Sequence, residues 1–234
     1  MKKADWNEIA REYNNQFNPE TDWRLGYPIV TEVLGNIIGR RVLDLGCGSG
    51  KFTRILRDLG AIVTAVDISE NAIERARQGD TTNIDYKTIE DDDISFLEND
   101  SIDHAITTFV LCTMQNEYQI RDVVKQIYDK LKPNGSFVIL EPHPEAPGYE
   151  FVSYVSREIP QERKSGTPVK VRLRGMDTSF YDYWKSKEFY IEVLTGTGFV
   201  IAEMREPTIE EHLEEICWKD ERIQPPLLTI CAKK

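Results

Sequence analysis

Three glycines at alternate places, Gly46, Gly48 and Gly50, follow an acid, Asp44, in the run Val42-Leu43-Asp44-Leu45-Gly46-Cys47-Gly48-Ser49-Gly50. Glycine lets the backbone turn sharply and approach a ligand that any Cβ would block. A helix start just beyond offers free amide groups to that ligand. The chemistry is that of a nucleotide-type site. The dinucleotide pattern G-x-G-x-x-G fails, because the sixth place counted from Gly46 is Lys51, and no G-x-x-x-x-G-K-[ST] phosphate loop occurs. What stands instead is D-x-G-x-G-x-G, and a carboxylate at Asp44 suits a ligand carrying an ammonium group better than one carrying a pyrophosphate. A second acid, Asp67, lies about twenty residues past the glycines, where it can accept both hydroxyls of a ribose. His143, between Pro142 and Pro144, is the candidate base, since a neutral imidazole takes up a proton at ordinary pH. A histidine in a proline-rich loop is also often merely exposed.

These residues need strands and helices to present them. Residues 42–45 read as a short buried strand, and Phe52, Ile55, Leu56 and Leu59 mark one face of the helix after the glycines. Ahead of them, Pro28 opens a helix with Tyr27, Val30, Leu34 and Ile37 on one face, which Gly39 stops. Ile62–Asp67 is a second strand, with Ser69 as cap of the next helix. Residues 84–89 and 102–110 follow as strands three and four. An amphipathic helix through Ile120, Val123, Val124, Ile127, Tyr128 and Leu131 ends at Lys132-Pro133-Asn134-Gly135, before a fifth strand over 136–141. His143 then emerges past the carboxyl ends of the strands, where open α/β sheets hold their reaction sites. From 145 to 183 the alternation breaks. A helix from about Ser186, a strand over 199–204 and a last strand over 227–232 close the chain. Seven strands alternating with helices predict an α/β fold with a doubly wound sheet.

The acid-plus-glycines turn resembles the first motif of the class I S-adenosylmethionine-dependent methyltransferases, in their small-molecule, type 11-like branch. The resemblance spans residues 5–234 and is best over 40–141. It implies a Rossmann-like sheet whose last strand is antiparallel and pairs beside strand five. The implied cofactor is S-adenosyl-L-methionine, with S-adenosyl-L-homocysteine as product. Asp44 and the turn of Gly46, Cys47, Gly48 and Gly50 would hold its methionine end, and Asp67, with Ile68 beside it, its ribose. The family places an acid after strand three on the adenine amino group, with a neighbouring amide on the ring. In Glu90-Asp91-Asp92-Asp93 one register gives Glu90 and Asp91, the next Asp91 and Asp92, and Ser95 replaces the family's proline there. Phe109 would lie along the methionine part, or serve as a core phenylalanine. An N-terminal helix, capped by Asp5 and Glu8 and carrying Trp6, Ile9, Ala10 and Tyr13 on one face, would cover the pocket. In the family Tyr13 often borders the methyl and Arg24 can reach the cofactor carboxylate; the alternatives are plain packing and a solvated arginine.

The chain is therefore expected to be a single methyltransferase domain over 1–234: a helical lid over 1–39, a cofactor core over 40–142, a substrate-covering insert over 143–184, and a C-terminal helix with strands over 185–234. In the insert, Tyr149, Phe151, Tyr154, Phe180, Tyr181, Tyr183 and Trp184 either wall an organic substrate or fill a satellite core. Strand four runs into Thr-Phe-Val-Leu rather than the Asn/Asp-Pro-Pro-aromatic run of the nucleic-acid amino-methyltransferases.

Charge narrows the partners. Lys+Arg 29 against Asp+Glu 40 gives a formal net charge of −11, which repels phosphate backbones and disfavours nucleic acid. Cys47, Cys112, Cys217 and Cys231 show no paired or zinc spacing and suit a reducing cytoplasm. No metal site is expected. No export signal and no apolar run of membrane-spanning length is read, so a membrane partner is not expected either. The function expected is methyl transfer by direct displacement to a small organic acceptor. The alternatives are a protein or RNA methyltransferase and a non-catalytic cofactor-binding scaffold. The acceptor and the oligomeric state are not legible.

Overall fold

The computed structural model describes Asn7, Ile9 and residues 20–80, 82, 84–209 and 217–234, without the side chains of Val155 and Ser156. Most of the stretch expected to form an N-terminal helix, with Trp6 and Tyr13, lies outside the described residues.

A seven-stranded sheet organises the chain. Strands β1 (Arg41–Leu45), β2 (Ile62–Asp67), β3 (Asp85–Thr88), β4 (Ile102–Thr108) and β5 (Leu131–Pro142) are joined to β9 (Val200–Arg205) and β10 (Leu227–Lys233). Their order is β3-β2-β1-β4-β5-β10-β9. The β1–β2, β1–β4, β2–β3 and β4–β5 pairs are parallel. As expected, β10 lies antiparallel beside β5, from Leu227 opposite Pro142 to Lys233 opposite Ser136.

Parity along the strands builds a core on each face, as a sheet covered on both sides requires. Leu43, Leu45, Ala105, Phe137 and Ile139 face one way, against α4 (Glu117–Lys130) and α5 (Lys187–Thr197). Val42, Ile106, Val138 and Leu140 face the other way, against α1 (Tyr27–Leu34), α2 (Lys51–Asp58) and α3 (Glu70–Gln78). Asp44 shares parity with Val42 and so points to the α1–α3 side.

Local details differ from the sequence reading. Helical turns already run from Glu20, and a π-turn at Asp22–Gly26 leads into α1, so Pro28 does not open the helix. The Tyr27 N–H reaches back to the Asp22 carbonyl. The helix ends at Gly35, whose φ of 67° breaks it, rather than at Gly39. β5 begins at Leu131, and Lys132-Pro133-Asn134-Gly135 form an excursion within it: Ile102 pairs with Leu131, but His104 pairs with Ser136. The irregular segment after β5 contains a second sheet of order β6-β7-β8, formed by β6 (Tyr154–Arg157), β7 (Pro168–Leu173) and β8 (Phe180–Tyr183). The alternating residues from Val169 are β7, whose antiparallel partners carried no comparable pattern. Among the described residues, no helix is long and apolar enough to cross a membrane.

Candidate active site

The carboxyl ends of β1, β2 and β4 open into a cavity lined on one side by Gly46, Gly48, Asp67 and Ile68 and roofed on the other by the small sheet. It holds about 1210 Å³ of free space out to its mouth.

The turn is fixed by hydrogen bonds. Gly46 and Cys47 donate their N–H groups to the Val66 carbonyl at 2.8 and 3.0 Å, and Gly50 donates to Cys47 at 3.0 Å. Asp67 holds it from β2: Oδ2 accepts the Gly48 N–H and Oδ1 the Ser69 N–H, both at 2.8 Å. Burial raises the Asp67 carboxyl above the usual range. A Cβ on Gly48 would meet nothing within 4 Å, because it would project into open space. Cys47 is buried and Gly50 packs under Tyr86; neither lines the cavity.

Asp44, expected at the ammonium end, keeps one buried oxygen, Oδ1, without a hydrogen-bond partner. It is fully buried beneath the turn, outside the cavity lining, and its Oδ2 accepts the Thr53 hydroxyl at 2.6 Å. Its parity, which points it at α2, is the reason. Asp22 lines the cavity instead. It is 1% exposed and its Oδ1 has no hydrogen-bond partner. Burial pushes its carboxyl up to about 8, against the pull of the Lys51 ammonium.

At the other end of the turn, only Asp92 of the three candidate adenine acids lines the cavity; Glu90 and Asp91 are exposed. Asp91 and Asp92 have φ of 49° and 58°, and this left-handed bend carries the Asp92 side chain inward. Gln119, from the first turn of α4, donates to Asp92 Oδ2 at 2.8 Å. Phe109 lines the cavity with φ of 59°, a strained conformation for an aromatic residue that ends β4. Its N–H is held by the Leu140 carbonyl at 2.8 Å. The segment after it is clamped by Glu141, which is fully buried and accepts the N–H groups of Leu111 at 2.8 Å and Cys112 at 3.0 Å. Burial pushes the Glu141 carboxyl up to about 7. Lys185, also buried, donates to the Met114 carbonyl at 2.7 Å and so ties this segment to the end of β8.

One expected contact lies elsewhere. Arg24 is half-exposed, faces Glu20 at 3.6 Å, and is not among the cavity residues. Tyr13 lies outside the described residues. The expected base, His143, is buried beside the cavity rather than in it. Its Nδ1 accepts the Glu145 N–H at 3.1 Å, so Nε2 carries the proton and donates to Glu206 Oε2 at 3.1 Å. With both nitrogens engaged, His143 fixes the loop after β5 and is not free to take a proton from an acceptor. His143→Gln is expected to keep turnover within about twofold while losing about 1 kcal/mol of stability. A labelled-methyl assay and thermal melts check this, and a tenfold loss of turnover at unchanged stability would return His143 to the chemistry.

Residues 43–139 match a family model described as a methyltransferase domain. N-demethylindolmycin N-methyltransferase from Streptomyces griseus is 27% identical over 209 residues, covering 84% of this chain and 87% of its own length. Demethylmenaquinone methyltransferase from Clavibacter sepedonicus is 29% identical over 196 residues, covering 80% and 75%. The fold superposes on a Burkholderia thailandensis 1,6-didemethyltoxoflavin-N1-methyltransferase with bound 1,6-didemethyltoxoflavin and S-adenosylhomocysteine, with a TM-score of 0.66 and 16% identity over 99% of this chain and 86% of that one. Residues 43–139 are thus similar to a methyltransferase domain, and the fold is the one seen with S-adenosylhomocysteine bound in the Burkholderia enzyme. The cavity residues fit S-adenosylmethionine as cofactor. The open space over Gly48 accommodates its backbone-facing side, and the orphaned Asp22 oxygen has the chemistry to meet an ammonium group.

Sequence reasoning missed Asp22, Gln119, Arg157 and Asp182 as cavity residues. Asp22 stands in an ordinary helical pattern, and only the nearby Pro28 hinted that this helix is irregular. Arg157 and Asp182 belong to strands that were not foreseen. Of the insert aromatics, Tyr154 and Phe180 line the cavity, Phe151 is core, and Tyr149 and Tyr181 are exposed.

Proposed function

We propose that this protein is an S-adenosylmethionine-dependent methyltransferase that transfers a methyl group to a small organic acceptor bound beneath the β6–β8 sheet. The observation that carries the reading is the continuity of the cavity, from the glycine turn and Asp67 to an apolar roof of Tyr154, Val171, Leu173 and Phe180. An enclosed roof suits a small acceptor better than a polymer, and the net charge of −11 argues against RNA. The relatives named for indolmycin and menaquinone chemistry support the same class.

When bound, S-adenosylmethionine supplies a methyl carbon activated by positive sulfur. The chain's own work is therefore to orient and to exclude water. Asp22 takes the α-ammonium, Asp67 the ribose hydroxyls, Asp92 the adenine amino group, and the Gly46–Gly48 backbone lies along the ligand. The strained Phe109 and the Glu141 clamp set the wall between the two reactants. No described histidine lines the cavity.

Calorimetry with S-adenosylhomocysteine tests the cofactor half of the reading, and labelled-methyl incorporation into host metabolite extracts tests the acceptor half. Micromolar binding and label in a low-molecular-weight product are expected. Absence of heat with folded protein, or label found only in protein or RNA, would overturn it.

A further inference from the structure

The make-up of the roof follows from register. Arg157 of β6 pairs with Val171 of β7, which pairs with Phe180 of β8, and Tyr154 pairs with Leu173. Asp182 lies two residues past Phe180 and therefore on the same side. A register break between Tyr154 and Ser156 brings Tyr154 and Arg157 to one face although they are three apart. All six residues line the cavity. Four are apolar or aromatic, and the remaining two are a buried ion pair.

That pair is incompletely satisfied. Arg157 and Asp182 are 7% and 3% exposed, with Nη1 3.0 Å from Oδ2. The guanidinium carbon lies 5.7 Å from the centroid of the Tyr154 ring. Yet Arg157 Nε and Nη1 are buried without a hydrogen-bond partner, because the nearby carboxylate lies off the donor axes. Leaving charged donors unmatched in an apolar surround is costly. A pair that served packing alone would be matched or bettered by apolar side chains. Acceptor atoms brought by a ligand would remove the penalty.

We propose that the methyl acceptor is a planar organic acid whose carboxylate lies on Arg157, with its ring against Tyr154, Phe180, Val171 and Leu173. The proposal rests on the methyltransferase reading above. A carboxylate is favoured over an ammonium because the unmatched groups are N–H donors, and because its two oxygens match neighbouring guanidinium N–H groups. Asp182 holds the guanidinium at the roof. The apolar wall around the pair keeps water away, which strengthens the carboxylate contact.

The test uses the full chain loaded with S-adenosylhomocysteine, titrated with 2-naphthoate, benzoate and phenylacetate and with the corresponding three amides, followed by ligand-observed NMR. At least one carboxylate is expected to bind at least about tenfold more tightly than its amide. Arg157→Gln is expected to abolish that preference, and Arg157→Lys to retain part of it. The double variant Arg157→Met/Asp182→Leu replaces the pair by apolar side chains and so guards against misfolding. It should bind S-adenosylhomocysteine as the wild type does and show no carboxylate preference. Equal binding of acids and amides, no binding of any acid, or a preference that survives in Arg157→Gln would overturn the proposal. Failure of the wild type to bind S-adenosylhomocysteine would instead sink the cofactor reading beneath it.

Discussion

Asp22→Asn is expected to weaken S-adenosylhomocysteine binding by about tenfold to a hundredfold while leaving the free protein at least as stable. The direction follows from where the proton sits. In the free protein burial holds the Asp22 carboxyl protonated up to about 8, whereas in the unfolded chain it ionises near its ordinary value of 3.8. Between those values the folded state binds the extra proton, so stability falls as pH rises through this window. Asp44, pushed up to about 6, and Glu141, pushed up to about 7, add the same sign over narrower ranges. Asparagine removes the Asp22 part, and the fall in Tm between pH 5 and 8 should flatten by several degrees. Binding of an α-ammonium reverses the balance, because the cation favours the carboxylate and expels the proton. At pH 7 the wild type should therefore release close to one more proton per ligand than the variant. Calorimetry in buffers of different ionisation enthalpy reads that difference directly. Equal proton release, or an affinity within twofold of wild type, would remove Asp22 from the ammonium site.

Asp22 also marks how far the amino-acid pattern reaches. The parallel strands and their order of appearance are legible because each strand is a compact apolar run bounded by turn residues, whereas the antiparallel course of the last strand came only from the family resemblance. The glycine turn and Asp67 are legible because backbone chemistry leaves little choice of residue or spacing there. Which oxygen faces the ligand is a different matter, since it depends on strand parity and on one-residue bends. Asp44 has the right type and spacing, yet its parity sends it to Thr53. Among Glu90, Asp91 and Asp92 the selection is made by two left-handed residues in succession, which no local pattern announces. His143 emerges at the expected edge of the sheet, but Glu145 and Glu206, the latter 63 residues away in sequence, occupy its nitrogens. The roof was hardest to foresee. β6 and β8 are four residues each, and only β7 carries a clean alternation. Arg157 and Asp182 become neighbours through pairings that short strands do not advertise.

Gly46→Ala and Gly48→Ala are expected to fail for opposite reasons, and the contrast separates architecture from recognition. A methyl on Gly46 would overlap Val110 Cγ2, with Val110 Cβ and Cγ1 at 3.4 and 3.5 Å. With φ at +77° the alanine also carries left-handed strain, so the loss of stability should be about 3 kcal/mol or more. A methyl on Gly48 meets no protein atom within 4 Å, and its φ of +55° alone costs about 1–2 kcal/mol. That methyl would occupy the space the cofactor needs, and Gly48 cannot retreat because Asp67 Oδ2 holds its N–H at 2.8 Å. Cofactor affinity in Gly48→Ala should therefore fall by about a hundredfold in protein that still folds. Urea unfolding and calorimetry on the two variants give the comparison. A Gly48→Ala protein that unfolds as readily as Gly46→Ala, or that binds S-adenosylhomocysteine normally, would mean that the space above Gly48 is not where the ligand lies.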